Sequence, residues 1–212
     1  MDARAAVLAR ITDALGRSQQ GPPPPVPRDY RASSELAPGS AGAVELLVDR
    51  LVDYRARVHE CDEAGLAAVL ATVLAEAAAV VVPPGLPEAW RSAVPGDVRV
   101  DAPGAPLSHA ELDAVDAVLT ASRVAVAETG TIVLDAQPDQ GRRAITLVPD
   151  HHVCVVRRDQ VLATVPEAVA VLGANPTRPL TWIAGPSATS DIELQRVEGV
   201  HGPRTLDVVI VS

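Results

Sequence analysis

The 212-residue chain contains no lysine and no phenylalanine, and each absence removes a class of function. With all 18 basic residues arginine, a Walker A lysine, a Schiff-base lysine and a pyridoxal-phosphate anchor are excluded. The aromatics are Tyr30, Tyr54, Trp90 and Trp182, so the core must be packed from Val, Leu, Ile and Ala, and stacking platforms for bases or flavin rings are scarce. Cys61 and Cys154 lie far apart without a Cys-x-x-Cys partner. They signal no disulfide framework, iron–sulfur site or zinc site, and they predict buried, reduced thiols and no metal in this chain. No apolar run approaches the ~20 residues of a membrane-spanning helix. The start, Met1-Asp2-Ala3-Arg4, has no secretory h-region, so the expectation is a cytoplasmic protein. Acidic residues outnumber basic ones 27 to 18, and a net charge of −9 repels a nucleic-acid backbone.

What is present is a chain with 48% hydrophobic residues, enough to bury the core of one domain. Val7, Leu8, Ile11 and Leu15 recur at helical spacing and predict an amphipathic N-terminal helix within residues 1–20. The run Pro22-Pro23-Pro24-Pro25-Val26-Pro27 cannot continue a helix and favours extended polyproline II, so residues 21–39 read as a linker. The helix is then an arm, docked on another subunit or folded back on its own domain of residues 40–212.

Within that domain the periodicities alternate. Helices are predicted at 43–54, 65–78, 86–91 and 108–119, the last with Ser108 as N-cap and Glu111 at capping-box spacing. Between them lie extended stretches at 56–60, 80–82 and 98–100. Such alternation predicts an α/β domain with a largely parallel sheet. Later, strands follow one another at 122–127, 131–135, 144–148 and 153–156, then a helix at 166–172, a strand at 181–184, a helix near 191–197 and a strand at 206–211.

Three polar clusters sit at the ends of apolar strands, where open α/β sheets hold their ligands. In Ala127-Glu128-Thr129-Gly130-Thr131, Gly130 can serve a simple turn or bulge. Alternatively, Glu128 is a nucleophile or general base, with the Thr129 and Thr131 hydroxyls orienting a carboxylate or phosphate. In Gly185-Pro186-Ser187-Ala188-Thr189-Ser190-Asp191-Ile192-Glu193, a strand, a glycine turn and a helix start make an anion-binding arrangement. Ser187 and Thr189 are its candidate ligands, helix capping by Ser190 or Thr189 is compatible, and Asp191 and Glu193 oppose a highly charged anion. In Glu198-Gly199-Val200-His201-Gly202-Pro203-Arg204, flanking glycines permit close approach and His201 can act as acid, base or donor. The pair His151-His152 points to opposite sides if extended, so at most one joins a site.

These stretches, together with Leu147-Val148-Pro149-Asp150-His151-His152, resemble the LUD-domain family, specifically its lactate-utilisation protein C branch, over roughly residues 40–212. The resemblance implies a three-layer α/β/α sandwich similar to the sugar-phosphate isomerase and CoA-transferase group. It also implies a role in oxidation of L-lactate to pyruvate beside two iron–sulfur partner proteins, with no redox cofactor in this chain. On this resemblance Glu128 and His201 are the catalytic candidates, and Thr129, Gly130, Thr131, Ser187, Thr189, Asp191, Glu193 and Gly202 the candidates for binding a small carboxylate. The alternatives are a free-standing CoA-transferase-like or sugar-phosphate-type enzyme using Glu128, and an interaction module docking through its N-terminal helix.

Overall fold

The computed structural model describes residues 2–17, 25–186 and 202–212, which fall in two compact units, Met1–Arg31 and Ala32–Ser212. In the first, α1 (Ala3–Arg17) is the expected amphipathic helix, and Val7, Leu8, Ile11 and Leu15 along its stripe are exposed. Among the described residues no helix is long and apolar enough to cross a membrane.

The second unit is built in the order α2 (Ala41–Asp53), β1 (Arg57–Cys61), α3 (Leu66–Val73), β2 (Ala79–Val82), α4 (Glu88–Arg91), β3 (Asp97–Val100) and α5 (His109–Asp113). It continues through β4 (Ala117–Ala121), β5 (Val124–Val126), β6 (Thr131–Leu134), β7 (His151–Arg157), β8 (Val161–Leu162), α6 (Val165–Leu172), β9 (Thr181–Ile183) and β10 (Thr205–Val211). Six strands form a wholly parallel sheet in the order β1-β10-β7-β4-β2-β3. A smaller mixed sheet, β8-β5-β6-β9, packs beside it. The chain is therefore a mixed α/β protein with a mostly parallel central sheet flanked by helices.

The layers follow from side-chain alternation along the strands. Val153 and Val155 of β7 and Val209 and Val211 of β10 face Leu66, Leu70 and Leu74, which recur every fourth residue along and just past α3. Cys154 and Val156, with Leu206, Val208 and Ile210, face the other way onto Val44, Leu47 and Leu51 of α2 and onto Ala125, Ile132 and Leu134 of the small sheet. Nearby, Val81 and Val118 meet Leu112 of α5 on that same side. The small sheet's outer face is closed by Ala168 and Leu172 of α6. Ser40 starts α2 by accepting the Ala43 N–H at 3.3 Å, and the Ser108–Glu111 capping box starts α5 as expected.

Two expected elements are wrong. The helix predicted at 108–119 ends at Asp113, and residues 117–121 are β4, buried at every position. A parallel strand covered on both faces shows no polar alternation, so Ala117-Val118-Leu119-Thr120-Ala121 reads equally as a buried helix. The strand predicted at 144–148 is instead a 3-10 turn at Arg143–Thr146, held by the Thr146 hydroxyl donating to the Arg143 carbonyl at 3.2 Å. The predicted helix near 191–197 lies outside the described residues.

All six central strands point the same way, so the sheet has one edge where they begin and one where they end. Tyr54 and Ala56 link the end of α2 to the start of β1, placing that end of α2 at the beginning edge.

Candidate functional site

The first motif closes the hairpin between β5 and β6. Residues Ala127–Thr129 make a 3-10 turn, and Gly130 follows at φ 60°, in the left-handed region. Its backbone lies on the last turn of α2: a Cβ there would meet Arg50 Cβ at 2.8 Å and the Arg50 carbonyl carbon at 3.0 Å. Gly130→Ala is therefore expected to cost at least about 2 kcal/mol, because the clash with Arg50 adds to the left-handed backbone strain, checked by urea unfolding. A cost within error of zero would mean that the turn adopts another backbone conformation away from α2. Glu128 is exposed, and its N–H donates to the Ala163 carbonyl at 3.0 Å. The Thr129 hydroxyl donates to Thr131 Oγ1 at 2.8 Å, and Thr131 is buried.

The second and third motifs reach the same place. Gly185, φ 78°, packs on Tyr54, where a Cβ would come within 2.7 Å of the Tyr54 carbonyl oxygen. Gly202 lies beside Pro186, a Cβ on it falling 3.9 Å from the Pro186 carbonyl oxygen. Ser187, Thr189, Asp191, Glu193 and His201 lie outside the described residues. The end of α2 thus gathers the Glu128–Thr131 turn through Arg50, and the Gly185 and Gly202 stems through Tyr54 and Pro186.

This corrects one expectation. The described parts of the clusters, the Glu128–Thr131 turn after β5, Gly185-Pro186 after β9 and Gly202 before β10, lie where the central strands begin, whereas open parallel sheets usually hold ligands where strands end. At that opposite edge a cleft of about 300 Å³ is lined by Pro38, Gly39, Glu63, Arg157 and Arg158. Arg158 Nε there donates to the Gly39 carbonyl at 2.7 Å, and Arg157 faces Glu63 at 3.9 Å.

The beginning edge also carries, on its α3 face, a cluster of which only His151 stands out in the sequence motifs, as one of the pair expected to give at most one site residue. Asp207 sits two residues into β10, its side chain only 2% exposed, between edge strand β1 and strand β7. Its Oδ1 pairs with His59 Nε2 at 2.7 Å and its Oδ2 with His151 Nε2 at 2.7 Å. Arg57 donates to the same Oδ2 through Nε at 3.0 Å and through Nη2. Parallel register explains the convergence: Arg57 pairs with Asp207 and His59 with Val209, while His151 pairs with Thr205, so all four side chains share a face. Burial pushes the Asp207 carboxyl up, but hydrogen bonds from His151, His59 and Arg57 outweigh it and hold it below the usual carboxylate range. The signal in the sequence was Asp207 itself, one charge inside the apolar run 206–211.

His152 points to the opposite face, as an extended pair requires. It is fully buried, and its Nε2 lies 2.8 Å from the Thr120 hydroxyl. Burial, then the electrostatic influence of His151 and Arg143, lowers its pKa to about 3, so the imidazole stays neutral. Cys154 is buried and its thiol is pushed up to about 12, chiefly by burial. Cys61 is only half-buried; burial and then Asp62 and Glu63 raise its pKa. Among the described residues no group of three His, Cys, Asp or Glu side chains is arranged to hold a metal ion.

Comparison with known proteins gives a consistent result. Residues 108–211 match the LUD domain model. The full chain is 47% identical to a lactate utilization protein C of Deinococcus radiodurans, covering 100% of this chain and 96% of that one. A lactate utilization protein C of Bacillus velezensis is 25% identical over 97% of this chain and 94% of its own length. A crystal structure of a DUF162 family protein from Deinococcus radiodurans superposes with a TM-score of 0.72 at 44% identity, covering 84% of this chain and 99% of that chain.

Proposed function

Because the chain belongs to the lactate utilization protein C family of LUD-domain proteins, we propose that it is a non-redox subunit of a bacterial L-lactate utilisation system. In this reading it supports oxidation of L-lactate to pyruvate by iron–sulfur partner proteins, binding a small carboxylate or holding the partners in place. The observation that carries the proposal is the full-length match to a lactate utilization protein C. The chain has two cysteines, one of them buried, against the four thiolates of an ordinary iron–sulfur cluster, which supports placing the electron carriers in the partners. The residues assigned to the chemistry are Glu128 and His201, and those assigned to ligand binding are Thr129, Gly130, Thr131, Ser187, Thr189, Asp191, Glu193 and Gly202. The exposed carboxylate of Glu128, set on a turn fixed against α2, can act as a base or contact a partner.

The test is reconstitution of lactate-dependent acceptor reduction with the two iron–sulfur partners. Omitting this chain is expected to reduce the rate at least about tenfold, and Glu128→Gln and His201→Ala to lower it by about 10²-fold or more if they move a proton. Full activity without the chain sinks the proposal. Full activity with both folded variants would leave a subunit that only assembles the complex.

A further inference from the structure

The Asp207 cluster lines a cleft to which the family motifs contribute His151 alone. We propose that this cleft is a binding site for a small monocarboxylate carrying a hydroxyl next to its carboxylate. Its volume is about 530 Å³, within the range of small-molecule sites. Arg57, His59, His151 and Asp207 line it from the sheet, Thr72 and Glu76 from the end of α3 and the turn after it, and Asp116 from the approach to β4.

The side chains are graded from floor to mouth. Asp207 is 2% exposed, His151 18%, His59 35% and Arg57 59%. The carboxylate at the floor is saturated by three donors and is not a ligand itself. Its work is orientation: each imidazole is anchored through Nε2, and its Nδ1 has no partner among the described residues. Arg57 spends Nε and Nη2 on Asp207 and keeps further N–H donors for a ligand. With Nε2–H given to Asp207, each neutral ring leaves Nδ1 as an acceptor, so the free Arg57 donors suit a carboxylate and an Nδ1 suits an adjacent hydroxyl that donates to it.

Charge limits the ligand from the other side. Glu76 and Asp116 also line the cleft, and Asp116 accepts the Ala79 N–H at 2.9 Å. Two acids there disfavour any anion and a doubly charged phosphate most, so a single carboxylate depends on the remaining Arg57 donors and on its hydroxyl contact. The choice of a carboxylate with this shape rests on the function proposed above, whereas the location rests on the cluster alone.

The test uses the isolated full chain, which keeps it separate from reconstitution. L-lactate, acetate and inorganic phosphate are titrated by calorimetry, and histidine ring nitrogens are followed by NMR. L-lactate is expected to bind more tightly than acetate or phosphate and to move the His59 and His151 Nδ1 signals. Arg57→Gln and His151→Gln, both at solvent-reached positions, are each expected to weaken binding about tenfold, or 1.4 kcal/mol. The proposal is overturned by absence of both heat and ring shifts, by phosphate binding more tightly than lactate, or by binding that survives both substitutions. It is equally overturned if Glu128→Gln abolishes binding while Arg57→Gln leaves it intact. Lactate binding here together with full reconstituted activity in the chain's absence would refute the subunit role and keep the site.

Discussion

Asp207→Ala is expected to lower the free energy of unfolding by about 3 kcal/mol, the low end of the range for removing one partner from a buried ionic cluster. The low end applies because Arg57, 59% exposed, can turn to water once its partner is gone. The two imidazoles cannot do so as easily; they are held by β1 and β7 with their Nε2 atoms aimed at the missing carboxylate. The pH dependence gives a second signature. A carboxyl whose folded pKa lies below its unfolded value contributes stability that is present above the unfolded pKa and is lost as pH falls through the folded one. The gap between wild type and Asp207→Ala should therefore be steady from pH 5 upward and close below pH ~4, near and beneath the ordinary carboxylate value. Urea titrations at several pH values measure this directly. A gap under about 1 kcal/mol, typical of an exposed pair, would show that the cluster is solvated in solution.

His152 gives the second large effect, with acid acting on the opposite face. Its folded pKa of about 3 lies below the unfolded value near 6.5. Neutral His152 is thus fully compatible with folding above the unfolded pKa, and stability is lost as pH falls below it, because only the unfolded chain takes up the proton. Between pH 7 and pH 5 the loss is expected to be about 2 kcal/mol, from 1.36 kcal/mol per pH unit below the unfolded pKa. His152→Gln, which can keep a hydrogen bond to Thr120 without titrating, should flatten that part of the stability profile. An unchanged acid slope in the variant would mean that His152 reaches water.

Much of the architecture was legible because it rests on periodicity. Val44, Leu47 and Leu51 mark the buried face of α2 at helical spacing, and the run at 80–82 is the buried strand β2. The part lost was β4, whose five buried residues carry no alternation because both of its faces are covered. At the site, the motifs announced turns and glycines correctly: Gly130 and Gly185 both adopt positive φ against α2. What no local pattern could show was that these turns meet around Arg50 and Tyr54, since contacts between residues 50 and 130 or 54 and 185 are made by topology. The Asp207 cluster was hidden for the same reason. Arg57, His59, His151 and Asp207 belong to three strands, and parallel register alone makes them neighbours.

The placement of β1 at one end of the central sheet has a further consequence. Among the described residues no strand pairs with its outer side, which offers backbone donors and acceptors to another extended chain, the usual route to edge-to-edge aggregation. Arg57, His59 and Glu60 make that border charged or polar, and at the other border β3 carries Asp97 and Arg99. The side chains that shape the cleft thus also keep neighbouring molecules from adding a seventh strand. Polar replacements such as glutamine preserve this protection, whereas apolar ones at Arg57 or His59 would expose a sticky seam and confuse loss of ligand with loss of solubility.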